Sequence, residues 1–229
     1  MLETGLTTDE AWAVYDRIGR RYDLLRFAEA TPKAWALRRL APQPGERALD
    51  VGCGTGAILL RLARATAPAP ADATGGAWVH GIDVSPVMVA VARDTVRAAG
   101  LERGVIVREG VATWLPYPDA HFDIVFSSYM LDLLATDDIT LALAEMRRVL
   151  RPGGRVALVA LSRGRGLVAQ AFTNGYEALY RRHPRWLAGC RPLALEPLAT
   201  SAGFTVEARA QWFRGHPSDA ILARPQNGL

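Results

Sequence analysis

The sequence predicts an α/β fold, a doubly wound, mostly parallel seven-stranded sheet with an antiparallel C-terminal hairpin and an N-terminal helical cover. Three observations predict it. Apolar, strand-like runs alternate with amphipathic helical stretches from Arg47 to Leu161. The first of these strands runs into a loop with three glycines in five positions, Gly52, Gly54 and Gly56. Two further strand-like runs near the C-terminus have only a turn between them. At 229 residues and 50% apolar composition, the chain can bury a full core as one domain. The expected division is a helical cover over residues 1–40 and a core over residues 41–229. A variable segment at 162–192 would act as a lid or as a membrane-facing helix.

The elements follow in order. Residues 8–40 are read as one or two helices carrying Tyr15 and Tyr22, each followed by Asp. Ala48, Leu49 and Val51 form a buried strand, and Leu59, Leu60 and Leu62 open a helix behind the glycine loop. Residues 65–77 hold too much Pro and Gly to continue that helix. Trp78–Val84 is a second strand ending at Asp83. Ser85 then caps a helix with Pro86 at its first position. Val105–Gly110 and Phe122–Ser128 are strands three and four. The helix Thr136–Leu150 is expected to stop at Arg151-Pro152-Gly153-Gly154, with strand five at Arg155–Leu161. In the variable segment, Leu167, Val168, Ala171, Phe172, Leu179 and Tyr180 recur at roughly helical spacing, as in a lid over an apolar substrate, a helix resting on a membrane surface or a helix covering the sheet edge. A short helix near Leu193–Ala202 and strands Phe204–Trp212 and Ala220–Ala223, joined through G-H-P-S-D, complete the chain.

A strand, glycine loop and helix at the carboxyl edge of a parallel sheet form a site for nucleotide-like ligands. Gly52, Gly54 and Ala57 also fit the dinucleotide pattern G-x-G-x-x-A, so a nicotinamide-dependent oxidoreductase is the alternative. Asp50 weighs against it. A carboxylate two residues before the first glycine repels a diphosphate and suits a phosphate-free adenosyl compound with a cationic amino group and a sulfonium, S-adenosylmethionine. An acid at the tip of the second strand, Asp83, can accept both ribose hydroxyls. Met88 is placed either to pack on an adenine or to serve as ordinary core.

Four ordered motifs, L-D-V-G-C-G-T-G, G-I-D-V-S-P, L-P-Y-P-D-A-H-F-D-I-V and V-L-R-P-G-G-R-V, together resemble the class I S-adenosylmethionine-dependent methyltransferases. Within them the sequence is most similar to the small-molecule branch that includes the ubiquinone/menaquinone biosynthesis methyltransferases. The resemblance implies a Rossmann-like methyltransferase fold, S-adenosyl-L-methionine as cofactor and S-adenosyl-L-homocysteine as product. It implies that Asp50, Gly52, Cys53, Gly54 and Thr55 line the methionine part, and that Asp83, with Val84 beside it, holds the ribose. Val111 and Ala112 would edge the adenine, Ser128 would close the site, and Tyr22 would lie over the sulfonium or its carboxylate. Val111 stands where the family often has Asp or Asn. Met130-Leu131-Asp132-Leu133 stands where quinone enzymes usually show an Arg-Asn pair.

The implied reaction is in-line displacement at the sulfonium methyl by O, C or N of a small apolar or aromatic acceptor, aided by a general base for a phenol or enol. His183, Tyr129, Asp132 and His216 are the candidates for that base. A methyltransferase-fold binding protein without turnover is the other alternative. The net charge of +4 is spread over scattered arginines with Lys33 as the only lysine, which argues against nucleic acid as a partner. The cysteines, Cys53 and Cys190, lie outside any ligand-spaced cluster, so no metal is expected and a reducing cytoplasm is. No long apolar run predicts membrane insertion, although peripheral contact would follow if the acceptor were a lipid. No pattern in the chain fixes an oligomeric state.

Overall fold

Ala48–Val51 is buried along its whole length, as a strand inside a parallel sheet must be. It is the first strand (β1) of a computed structural model that describes residues 29–68, 76–164, 166–182, 190–213 and 216–226. Of the expected N-terminal cover, the helix α1 (Ala30–Leu40) lies within this range. Tyr15 and Tyr22 lie outside the described residues, as does His183.

From β1 the chain passes through α2 (Ala57–Thr66), β2 (Val79–Asp83), α3 (Pro86–Ala98), β3 (Val105–Glu109) and β4 (Phe122–Ser128). A single 3-10 turn (Leu131–Leu133), α4 (Thr136–Val149) and β5 (Leu150–Leu161) follow. Then come α5 (Leu167–Arg182), α6 (Leu195–Ser201), β6 (Phe204–Phe213) and β7 (Pro217–Pro225). The seven strands run in the order β3-β2-β1-β4-β5-β7-β6. The pairs among β1 to β5 are parallel, whereas β7 is antiparallel to both β5 and β6. The doubly wound sheet with its antiparallel C-terminal pair is therefore the architecture that the alternating sequence predicts.

Strand alternation splits the core into two layers. Leu49, Val51 and Val125 face one side with α4, whose Ile139, Leu143, Met146 and Val149 recur at helical spacing. Ala48, Ile124 and Phe126 face the other side with α1, α2 and α3. Each such fully buried aliphatic side chain contributes roughly 1.5–3 kcal/mol of transfer free energy, before conformational entropy is charged against it. β1 has β2 on one side and β4 on the other, so the winding reverses there and a crevice opens beyond its carboxyl end.

Two boundaries differ from the sequence reading. Strand five begins at Leu150 rather than Arg155, because Leu150 already pairs with Phe122 and the ladder then shifts register before Ile124–Arg155. Arg151-Pro152-Gly153-Gly154 is an irregularity within that strand rather than a stop before it, with Gly153 at φ 79°. The last strand spans Pro217–Pro225 rather than Ala220–Ala223. Pro217, Ser218 and Asp219, read as part of a turn, pair with Phe213, Trp212 and Gln211. Pro217 through Ala223 are all buried, so the strand lies inside the sheet and shows no apolar–polar alternation by which to recognise it.

The apolar stripe read on α5 is divided: Ala171, Phe172 and Leu179 are exposed, whereas Tyr180 is buried together with Thr173 and Glu177. The inward groups are polar and they find partners. Thr173 Oγ1 donates to the Arg163 carbonyl at 2.6 Å, Arg163 Nη2 pairs with Glu177 at 2.9 Å, and the Tyr176 hydroxyl donates to the Cys190 carbonyl at 3.0 Å. Satisfied polar groups are tolerated in a buried face, and hydropathy spacing alone does not see the partners.

Candidate functional site

The glycine loop is stapled to the tip of β2. Gly52 and Cys53 N–H groups donate to the Ile82 carbonyl at 2.8 and 3.0 Å, and Gly56 N–H donates to the Cys53 carbonyl at 3.0 Å. Gly54 N–H donates to Asp83 Oδ2 at 2.8 Å, and Ser85 N–H donates to Asp83 Oδ1 at 3.0 Å. Ser85 Oγ in turn accepts from Met88 N–H at 3.2 Å, the N-cap expected from Ser85-Pro86. Each carboxylate oxygen of Asp83 thus already serves one backbone amide. A simple ribose clamp is too narrow a reading of this residue, because it also fixes the loop.

The three glycines answer to three different constraints. A Cβ on Gly52 would lie 2.6 Å from the Met130 side chain, and one on Gly56 would lie 3.2 Å from the Ala92 backbone on α3. A Cβ on Gly54 would meet nothing within 4 Å. All three residues have positive φ. Of the three, only Gly54 is bare toward open space; Gly52 and Gly56 make room for protein neighbours.

That space is a cavity of about 380 Å³ at the carboxyl ends of β1, β2 and β4. Asp50, Gly52, Cys53, Gly54, Thr55, Asp83, Val84, Met88, Val111, Ala112 and Ser128 all line it, as does Tyr129. Asp132 and His216 do not appear in its described lining. Asp132 sits behind the wall at 1% exposure, its Oδ2 accepting from Leu161 N–H at 3.1 Å. His216 stands at the start of β7, its ring 5.8 Å from that of Tyr129. Sequence reading missed Lys33, Leu133, Leu134 and Asp138 in the wall, because they come from helices α1 and α4 and from the end of the 3-10 turn, whose spacing to the glycine loop carries no motif.

Burial and charge set the protonation of the wall. The Cys53 thiol is pushed well up by burial first and then by Asp50 and Asp83, so it stays protonated and unreactive. Burial raises Asp83 above its ordinary value, against the pull of the amides that it accepts. Tyr129 occupies the left-handed region at φ 54°, costly for an aromatic side chain. Its hydroxyl shares a hydrogen bond with Ser218 Oγ at 2.8 Å, and burial pushes the phenol well above its usual range. The phenol is therefore protonated at neutral pH. His216 is lowered by burial and so is neutral there. His80, lowered to about 4 by burial, stays neutral among Tyr117, His121 and Phe122, as scaffold.

A family model described as a methyltransferase domain matches residues 48–154. A demethylmenaquinone methyltransferase of Bacillus cytotoxicus is 35% identical over 154 residues, 65% of this chain and 61% of the relative. A ubiquinone/menaquinone biosynthesis C-methyltransferase UbiE of a Caulobacter species is 33% identical over 76% of this chain and 70% of its own length. The chain belongs to the class I S-adenosylmethionine-dependent methyltransferases. Among solved structures, the [4+2]-cyclase SpnF superposes with a TM-score of 0.65 at 24% identity, covering 85% of this chain and 80% of that one. At that identity the likeness is one of fold. S-adenosylmethionine is the cofactor of the methyltransferase family, and this cavity has features that fit it: open space over Gly54 and carboxylates at the tips of β1 and β2. Among the described residues, no helix is long and apolar enough to cross a membrane.

Proposed function

We propose that the protein transfers a methyl group from S-adenosylmethionine to O, C or N of a small apolar or aromatic molecule. The observation that carries this reading is the bare face of Gly54, opening on a cavity whose described charged lining is three carboxylates, Asp50, Asp83 and Asp138, and one cation, Lys33. A dinucleotide would bring a diphosphate into that field, whereas an adenosyl sulfonium brings positive charge. The bound cofactor supplies a methyl group already activated by its sulfonium.

The residues then act by holding and excluding. Asp50, at 1% exposure, meets the cationic methionine end, and Asp83 offers its remaining lone pairs to the ribose while keeping the loop in register. Met88, Val111 and Ala112 supply apolar surface for the base. Met130, Leu133 and Leu134 form an apolar wall against which an acceptor can sit dry. Tyr129, anchored to Ser218, orients by hydrogen bonding rather than by taking a proton. The relatives named for quinone biosynthesis support an aromatic acceptor, and the cytoplasm is the compartment that this reading assigns.

Gly54→Val tests the reading. A Cβ there enters ligand space and meets no protein atom within 4 Å, while at φ 52° a side chain strains the backbone; calorimetric affinity for S-adenosylhomocysteine should fall at least roughly 100-fold, by more than the loss of stability that a thermal melt reports. Wild-type affinity in that variant, or tight binding of NAD(H) with no heat from S-adenosylhomocysteine, would refute it.

A further inference from the structure

We infer that Asp138 recognises the methyl acceptor, accepting a hydrogen bond from a hydroxyl that the acceptor carries on an aromatic ring. The inference rests on the methyl-transfer reading above and deepens it: the acceptor is an uncharged hydroxyaromatic compound rather than a hydrocarbon or an anion. Asp138 lines the cavity together with Met130, Leu133 and Leu134. It lies in the first turn of α4, half-buried, between the exposed Asp137 and the buried Ile139. Among the described residues it has neither a hydrogen bond nor an ion pair. The cation of the same lining, Lys33, pairs with Glu29 at 2.6 Å.

The helix dipole accounts for an acid in a first turn, but Asp137 already supplies one on the exposed side. Asp138 sets a second charge against a wall whose Met130, Leu133 and Leu134 side chains are apolar. That placement works against a purely apolar guest, which would displace water from the carboxylate and offer no hydrogen bond in return. It also works against an anionic guest, because Asp50 and Asp83 give the lining the same sign. The guest that fits both features has an apolar body for the three side chains and an O–H for a carboxylate that can only accept. The groups expected from the sequence to serve as base do not compete for this contact. His183 lies outside the described residues, and Asp132 and His216 do not appear in the described lining. The Tyr129 hydroxyl is engaged with Ser218 at 2.8 Å. A hydroxyl that gives its hydrogen to Asp138 gains electron density on its oxygen and on the ring, as attack on a sulfonium methyl from either atom requires.

The test titrates the protein, saturated with S-adenosylhomocysteine, with 2-naphthol and with 2-methoxynaphthalene, which share their rings and differ in whether the oxygen carries a hydrogen. The wild type should bind the naphthol roughly 10- to 100-fold more tightly than the ether, as for one hydrogen bond to a charged acceptor. It should bind the anion 2-naphthoate more weakly than the naphthol. Asp138→Leu should bring the naphthol and the ether to within about twofold of each other. Asp138→Asn, which changes shape least and keeps an acceptor without the charge, provides a second protein whose preference should fall between the two. Equal binding of naphthol and ether by the wild type, binding of neither, or a preference that survives in Asp138→Leu would overturn the inference. Calorimetry of the wild type with S-adenosylhomocysteine keeps the failures apart. No binding there would sink the cofactor reading itself, whereas any of the three outcomes in a protein that binds this product removes only Asp138 from acceptor recognition.

Discussion

Asp132 lies at 1% exposure behind the cavity wall, and among the described residues its Oδ1 has no hydrogen-bond partner. Burial raises its carboxyl from 3.8 to about 7; Glu29 adds to the rise, while the amides of Leu161 and of Asp132 itself, and Lys33, oppose it. The folded state therefore binds a proton more tightly than the unfolded chain, so stability falls as pH rises from the unfolded value to the folded one and levels off above it. Between these two values the mismatch costs about 2 kcal/mol at pH 5 and about 4 kcal/mol at pH 8. Asp132→Asn mimics the protonated side chain and cannot ionise. Urea unfolding followed by circular dichroism should show the variant gaining about 2–3 kcal/mol on the wild type between pH 5 and pH 8. Other titrating groups are common to both proteins and cancel in the comparison. A wild-type-minus-variant difference constant to within about 0.5 kcal/mol over that range would refute the argument, because it would mean that the carboxyl is already charged in the folded state as in the unfolded chain.

Two further substitutions probe the loop. Asp83→Ala should cost about 1–3 kcal/mol of unfolding free energy, by orphaning the amides of Gly54 and Ser85, and a similar amount of S-adenosylhomocysteine affinity; thermal melts and calorimetry report the two separately. Loss of affinity with an unchanged melt would show that the loop does not depend on those bonds. Gly52→Ala should destabilise by about 1–3 kcal/mol, because its methyl would lie 2.6 Å from the Met130 side chain at a positive φ. Adding Met130→Ala should recover the steric part but not the backbone part. Strict additivity in that double-mutant cycle would show that the two residues do not meet.

How much of this was legible beforehand depends on where the information sits in the chain. The sheet and the glycine loop announce themselves locally, through apolar runs, caps and bare backbone, and the cavity-lining residues expected on β1, β2 and β4 follow from them. The reasons for individual residues did not. Gly52 and Gly56 read alike in sequence, yet one makes room for Met130 and the other for Ala92, contacts set by how the 3-10 turn and α3 close on the loop. Lys33 and Asp138 reach the cavity from α1 and α4, and nothing in their local pattern says which way those helices lie. The burial of Thr173 and Glu177 on α5 was not legible, because their partner Arg163 is supplied by the tertiary fold. Strand β7 was cut short because a strand buried on both sides has lost the period by which strands are recognised.

The placement of β7 between β5 and β6 carries a consequence for how the molecule is made. As the chain leaves the ribosome, β6 appears with no neighbour that it can pair with, and β5 keeps a bare edge until β7 follows. Assembly is thus completed by a late insertion that seals two hydrogen-bonding edges at once. Trimming the chain back to Phe213 would leave both edges bare, free to capture strands from other molecules, and aggregation rather than a smaller folded core is the outcome that such a truncation invites.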